Sequence, residues 1–166
     1  APEIDIVGNW KIEPVAGSMG VGPAAGSTEW FAISADDVVT RACFYDDVFS
    51  FNEDGTFTIA LGDQTWIEKW QGVDEDTCGT PVSPYDGSGT YNYAFTGSSL
   101  KLVGEGAYVG LSKVNNAGEL SVDNNVAPTD ITYSVVSLTE EGGVKKMTLF
   151  IEAGSGVWWT FKLISE

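Results

Sequence analysis

The chain has 166 residues, 43% of them hydrophobic and 19% charged, a balance that suits one folded domain and excludes a disordered or fibrous polymer. Its net charge of −16, with one arginine (Arg41) and seven lysines, excludes the clustered cations that a nucleic acid or an anionic membrane requires. No run of about 18 apolar residues is present, so membrane insertion by a helix is not expected.

Twenty glycines, abundant Thr and Val, and the absence of any long window with helical periodicity favour β structure. Residues 1–7 read as a linker, and they carry no secretory leader, as in a mature product or an excised module. Gly8 to Glu13 alternates with Trp10 and Ile12 on one side, and Pro14 ends it. Residues 16–27 are glycine-rich and read as a long loop. Glu29 to Ile33 reads as a short strand carrying Trp30, and Ser34 is placed to cap a helical turn through Asp36, Asp37, Val38 and Val39.

Val48–Asn52 and Thr56–Leu61 make the clearest hairpin, with Phe49 and Phe51 before the Glu53-Asp54-Gly55 turn and Phe57, Ile59 and Leu61 after it. Gln64 to Gln71 follows as a strand, then a polar acidic loop over 71–88. Thr90–Phe95 and Ser99–Val103 form a second hairpin, and Ala107–Val114 reads as another strand. Residues 115–128 are loop-like, with Leu120 and Val122 pairing briefly. Ile131–Thr139, Lys145–Ile151 and Val157–Ile164 close the chain as a meander, with Val157, Trp159, Phe161 and Leu163 on one face. Roughly nine or ten antiparallel strands in sequence order predict an all-β meander barrel, with a β-sandwich or jelly roll as the alternative.

Three segments carry a resemblance. Gly8-Asn9-Trp10-Lys11-Ile12 resembles the G-x-W opening strand of lipocalin-like domains, and Phe51-Asn52-Glu53-Asp54-Gly55-Thr56-Phe57 resembles a hairpin common in bacterial members of that group. Gly89-Thr90-Tyr91 and Trp159-Thr160-Phe161-Lys162-Leu163 fit their later hairpin and last strand. The resemblance implies a barrel closed at one end by Trp10, with Arg41, Lys162 or another lysine in place of the arginine that lipocalins set against that tryptophan. Gly20 to Ala24, Arg41 to Asp47 and Thr65 to Gly72 are also similar to accessory domains of secreted polysaccharide-degrading enzymes of marine bacteria. That similarity implies carbohydrate binding beside a covalently linked catalytic or surface domain.

The chemistry on offer is narrow. The chain has no histidine, which removes His-based triads and His-ligated zinc. Its two cysteines make no zinc knuckle or CxxC pair; their even number in a chain of extracellular character predicts a Cys43–Cys78 disulfide holding the 71–88 loop. Calcium is the one metal whose oxygen ligands are plentiful, with Asp46-Asp47 and Asp74-Glu75-Asp76 as donors, but no EF-hand spacing occurs and solvated acidic loops are the expectation. A glycosidase needs two acids flanking a cleft. Glu68, Asp46, Asp47, Asp86 and Glu105 fall at no recognisable spacing for that role, so no catalysis is expected.

An extended Gln64–Gln71 would send Trp66, Glu68 and Trp70 to one side. A carboxylate between two indoles is costly in a dry core, whereas indole faces stack on pyranose rings and a carboxylate accepts from hydroxyls. The plainer reading is a wet-faced strand whose tryptophans fill a barrel end. Trp10 and Trp159 are assigned to the core, and Trp30, Trp66, Trp70 and Trp158 to exposed positions. Gln71, Asp86 and Asn92 are candidate hydroxyl partners, and Tyr85 a candidate rim. The expectation is a secreted or cell-surface, non-catalytic module holding a neutral or weakly charged polysaccharide such as a β-glucan (laminarin) or an agar-type galactan. The alternatives are a lipocalin-like pocket for a small apolar ligand and a structural or interaction domain.

Overall fold

A computed structural model describes residues 4–166. In chain order its elements are β1 (Gly8–Ile12), β2 (Met19–Gly22), β3 (Phe31–Ala32), α1 (Ala35–Thr40), α2 (Ala42–Tyr45), β4 (Val48–Phe51) and β5 (Thr56–Ala60). Then come β6 (Thr65–Ile67), a 3-10 turn (Lys69–Gln71), β7 (Thr77–Gly79), β8 (Tyr91–Phe95) and β9 (Ser99–Val103). The chain ends with β10 (Val114–Asn115), β11 (Gly118–Glu119), β12 (Asp130–Glu141), β13 (Val144–Glu152) and β14 (Trp158–Ser165).

Strands β1, β4, β5, β8, β9, β12, β13 and β14 pair antiparallel in that order, and β14 returns to β1 to close a barrel. Closure removes the exposed edges that an open sheet would leave. The order is that of an up-and-down meander, not a jelly roll. β14 is long enough to serve two partners: its end pairs with β1 (Leu163 opposite Ile12), and its start pairs with β2 (Trp158 opposite Gly22).

Alternation decides which residues fill the barrel. Trp10, Phe49, Phe57, Leu100, Tyr133, Leu149 and Phe161 are all fully buried, while their strand neighbours face outward. The first hairpin is fixed by its turn, where Asp54 Oδ1 accepts from both the backbone N–H (3.0 Å) and the hydroxyl (2.6 Å) of Thr56. Gly55 supplies the positive φ (88°) that this turn needs. Ser34 caps α1 as expected, accepting from Asp37 N–H at 3.0 Å.

Three expectations are corrected. Within the expected linker 1–7, residues 1–3 lie outside the described residues, but Ile6 is buried and its carbonyl accepts from Trp10 Nε1 at 2.8 Å. The apolar side chain of Ile6 thus joins the closed end of the barrel. The glycine-rich loop 16–27 contains strand β2. Gly20 and Gly22 suit that strand because Thr28 and Ser27 fold back against it, where any Cβ would collide with them. Residues 107–114 are not a strand until Val114. They form a buried irregular segment whose backbone at Val109 is satisfied by Tyr133, the phenol accepting from Val109 N–H (3.0 Å) and donating to Val109 C=O (3.2 Å).

The antiparallel order places every long connection at one end. Residues 13–47 link β1 to β4, 61–90 link β5 to β8, and 104–129 link β9 to β12. Tight turns at 52–55, 96–98 and 142–143 occupy the other end. The disulfide Cys43–Cys78 ties the first long connection to the second. Closing such a loop stabilises by roughly 3–4 kcal/mol in the chain-entropy model.

Candidate functional site

The three long connections meet over Trp159, at the start of β14, and leave a cleft of about 280 Å³. Val21 and Phe31 come from the first connection, together with Arg41. Glu68 comes from the second, and Leu111, Lys113 and Glu119 from the third. The volume is at the lower end of the roughly 300–1,000 Å³ of small-molecule sites. Apolar and aromatic surface is therefore combined with two cations and two carboxylates in one concavity. The two cations and two carboxylates balance locally in a chain of net charge −16.

The charges are held by different means. Lys113 Nζ lies 3.3 Å from Glu119 Oε1, and Glu119 Oε2 accepts from Trp159 Nε1 at 3.2 Å. Lys113 also stands 5.4 Å from the centre of the Trp159 ring. Glu68 Oε1 accepts from Trp70 Nε1 at 3.3 Å. Arg41 is different: its guanidinium lies 4.3 Å from the centre of the Trp66 ring and 5.8 Å from that of Phe31. Among the described residues the ion pairs all use lysines, and Arg41 takes part in none.

Arg41 is placed by local structure. It ends α1 and begins α2, its N–H donating back to Asp37 C=O at 2.8 Å. Two residues on, Cys43 is bridged to Cys78, and Cys78 is the cross-strand partner of Trp66 in the β6–β7 pair. The disulfide and the short sheet thus bring the arginine over the indole. Trp66 holds its ring there although its own Nε1 is buried without an acceptor. An unmet donor costs about 1–3 kcal/mol.

The sequence-predicted site is divided by the structure. The extended run stops at Ile67, because Gln71 Oε1 accepts from Glu68 N–H (3.1 Å) and Gly72, at φ 98°, closes the 3-10 turn. Trp66, Glu68 and Trp70 therefore do not share one strand face. Glu68 goes to the cleft over Trp159. Trp70, Gln71 and Tyr85 line a second cleft of about 230 Å³, with Lys69, Pro84, Val122 and Asn125. Tyr85 is the floor there rather than the rim, buried and edge-on to Trp70 at 5.4 Å. Burial, with the Glu105 charge adding to it, pushes its phenol up to about 12.

Trp30 and Trp158 line neither cleft. Trp30 is 55% exposed, and Trp158 is the part-buried partner of Gly22. Each is the chain neighbour of a cleft residue, Phe31 and Trp159; Trp30 precedes β3, and alternation along β14 turns Trp158 away from Trp159. Asp86 accepts from Ser88 N–H (3.1 Å) and Ser88 Oγ (2.6 Å), bonds that lower its pKa. Asn92 is exposed on β8. Arg41, Phe31, Lys113 and Glu119 are the cleft residues that sequence reasoning passed over for this role. The lone arginine of an acidic chain was the available signal. Arg41 also stacks on Trp66 rather than on the opening Trp10, and Lys162 is exposed.

Among the described residues no three Asp, Glu, Cys or His side chains gather as a metal site. Asp46 is at the surface, whereas Asp47 is buried and accepts from Thr65 Oγ1 at 2.6 Å. Burial pushes the Asp47 carboxyl up to about 8, with the Thr65 hydroxyl opposing that and the Asp46 charge adding to it.

The barrel interior is filled by its own side chains and by the buried segment Ala107–Leu111. Gly110 lies so close to the Phe161 ring that a Cβ would stand 2.6 Å from it. Both clefts described above thus open at the mouth, where the charged and aromatic groups are. No protein-family model and no curated protein sequence matches this chain.

Proposed function

We propose that the chain is a non-catalytic carbohydrate-binding module of a secreted or cell-surface protein. The observation that carries this reading is the mouth cleft, which sets the part-buried Phe31 ring, with buried Trp159 beneath the cleft, beside Arg41, Glu68, Lys113 and Glu119. Aromatic faces suit the apolar side of a pyranose, and charged groups orient hydroxyls through strong hydrogen bonds. A ligand that enters the barrel interior is less well served, since packed side chains occupy it.

Binding would act by local concentration, keeping a linked catalytic or surface domain near a dilute or insoluble polysaccharide. The disulfide suits an oxidising, extracellular compartment. No helix among the described residues is long and apolar enough to cross a membrane. The polysaccharide is neutral or weakly charged, a β-glucan such as laminarin or an agar-type galactan, because a dense polyanion would meet repulsion from the −16 chain.

Affinity electrophoresis against a panel of soluble glycans tests the proposal. Retardation by at least one neutral glucan or galactan, lost in Phe31→Ala with the fold intact by circular dichroism, is the expected outcome. Unchanged mobility on every glycan would remove the proposal.

A further inference from the structure

We infer that the mouth cleft reads a single carboxylate on its sugar ligand, a uronate or similar acidic substituent, through Arg41. This rests on the carbohydrate reading above and narrows it. The guanidinium carbon lies over the Trp66 ring, 4.3 Å from its centre, and 5.8 Å from the centre of the Phe31 ring. Neither ring offers a carboxylate to its N–H groups, whose planar fork matches the two oxygens of a carboxylate.

The neighbours do not supply that partner. Among the described residues no carboxylate is ion-paired to Arg41. Of the two carboxylates that line the cleft, Glu119 is bound by Lys113 and Trp159, and Glu68 accepts from Trp70 Nε1 through one oxygen; Asp37, one helical turn before Arg41, accepts from Ser34 N–H. A chain with 24 acidic and 8 basic residues thus keeps its one arginine beside a cleft with no acid of its own bound to it.

The overall charge sets the limit on the ligand. Repulsion over the whole surface is screened within about 8 Å at physiological salt. One carboxylate docked on Arg41 escapes it, whereas a polyuronate or heavily sulfated chain keeps its other charges close to the acidic surface. The ligand is therefore a neutral glycan with sparse or terminal acidic residues. Phe31 supplies the aromatic surface for its neutral part, and Arg41 discriminates.

The test is calorimetric titration of the intact protein with two probes, a neutral β-glucan tetrasaccharide and the same oligosaccharide ending in glucuronate. Charge-assisted hydrogen bonds predict about tenfold tighter binding of the acidic probe at low salt. The preference should shrink at high salt and vanish in Arg41→Gln. Arg41→Lys, which keeps a cation over Trp66 but loses the fork, should retain only part of it, with unchanged thermal unfolding showing that the fold is intact. Equal affinity for the two probes overturns the inference and leaves the carbohydrate reading standing. A preference that persists in Arg41→Gln also overturns it. Binding of neither probe, together with failure on the neutral glycan panel, removes both.

Discussion

The Arg41 guanidinium lies 4.3 Å from the centre of the Trp66 ring although 24 residues separate them, and a disulfide beside each holds the pair. Cys43 lies two residues after Arg41, and Cys78 stands directly across the strand pair from Trp66. The contact is worth about 0.5–2 kcal/mol by itself. Its larger consequence is to fix a cation at the mouth of the barrel.

Trp66→Ala removes the surface on which that cation rests. We expect a loss of roughly 1–3 kcal/mol in urea unfolding, because the ring is only part-buried. Glycan affinity should fall at least tenfold by affinity electrophoresis. Trp30→Ala, on an exposed ring that lines neither cleft, should leave both quantities near their starting values.

Reducing the disulfide, or replacing both cysteines by serine, should lower stability by roughly 3–4 kcal/mol. For a chain of this size that corresponds to a fall in Tm of about 10 °C. The far-ultraviolet spectrum of the folded state should persist, because the bridge joins two connections and no barrel strand contains either cysteine. Glycan affinity should drop with it if the bridge positions Arg41.

Asp47 gives the molecule a pH dependence of definite sign. Its carboxyl is raised from 3.8 to about 8, chiefly by burial, so the folded state holds a proton that the unfolded state releases above about pH 4. This contribution is complete below pH 4, is lost as pH rises through the window from about 4 to about 8, and is level above it. Urea unfolding of Asp47→Asn, which keeps an acceptor for Thr65, should show a flatter profile across that window. Its stability relative to the parent should be highest at the alkaline end.

Tyr133→Phe tests the buried segment that fills the barrel. Removing the hydroxyl strands both the N–H and the C=O of Val109, each an unmet group costing about 1–3 kcal/mol. A total loss of roughly 2–4 kcal/mol in chemical denaturation is expected. A loss below 0.5 kcal/mol would mean that water reaches Val109.

The barrel was legible because its strands obey a period of two. Phe49, Phe51, Phe57 and Ile59 are buried as their alternation required, and so are Trp159, Phe161 and Leu163. Local turn chemistry was legible at Asp54 and Ser34 because their side chains bond backbone N–H groups two and three residues on. The site was less so, because it is assembled from three connections distant in sequence. The sequence pointed to Trp30 and Trp158 as exposed rings; Trp30 is exposed, whereas Trp158, the outward neighbour of Trp159, is part-buried. No periodic signal marks Arg41, Lys113 or Glu119, which are brought together by topology and a disulfide. Residues 107–114 misled for a physical reason: apolar character shows burial, but it does not show whether the backbone bonds are met by a strand or by a single tyrosine.

The most direct test of the central claim is to follow the indole N–H signals of the tryptophans by NMR while a bound oligosaccharide from the panel is titrated in. The account predicts that the Trp66 and Trp159 signals shift together, with the Arg41 side-chain signals. Trp10, fully buried at the closed end and bonded to Ile6, should stay fixed. Shifts confined to Trp30 or Trp158, or a saturating glycan that moves no indole at the mouth, would contradict it.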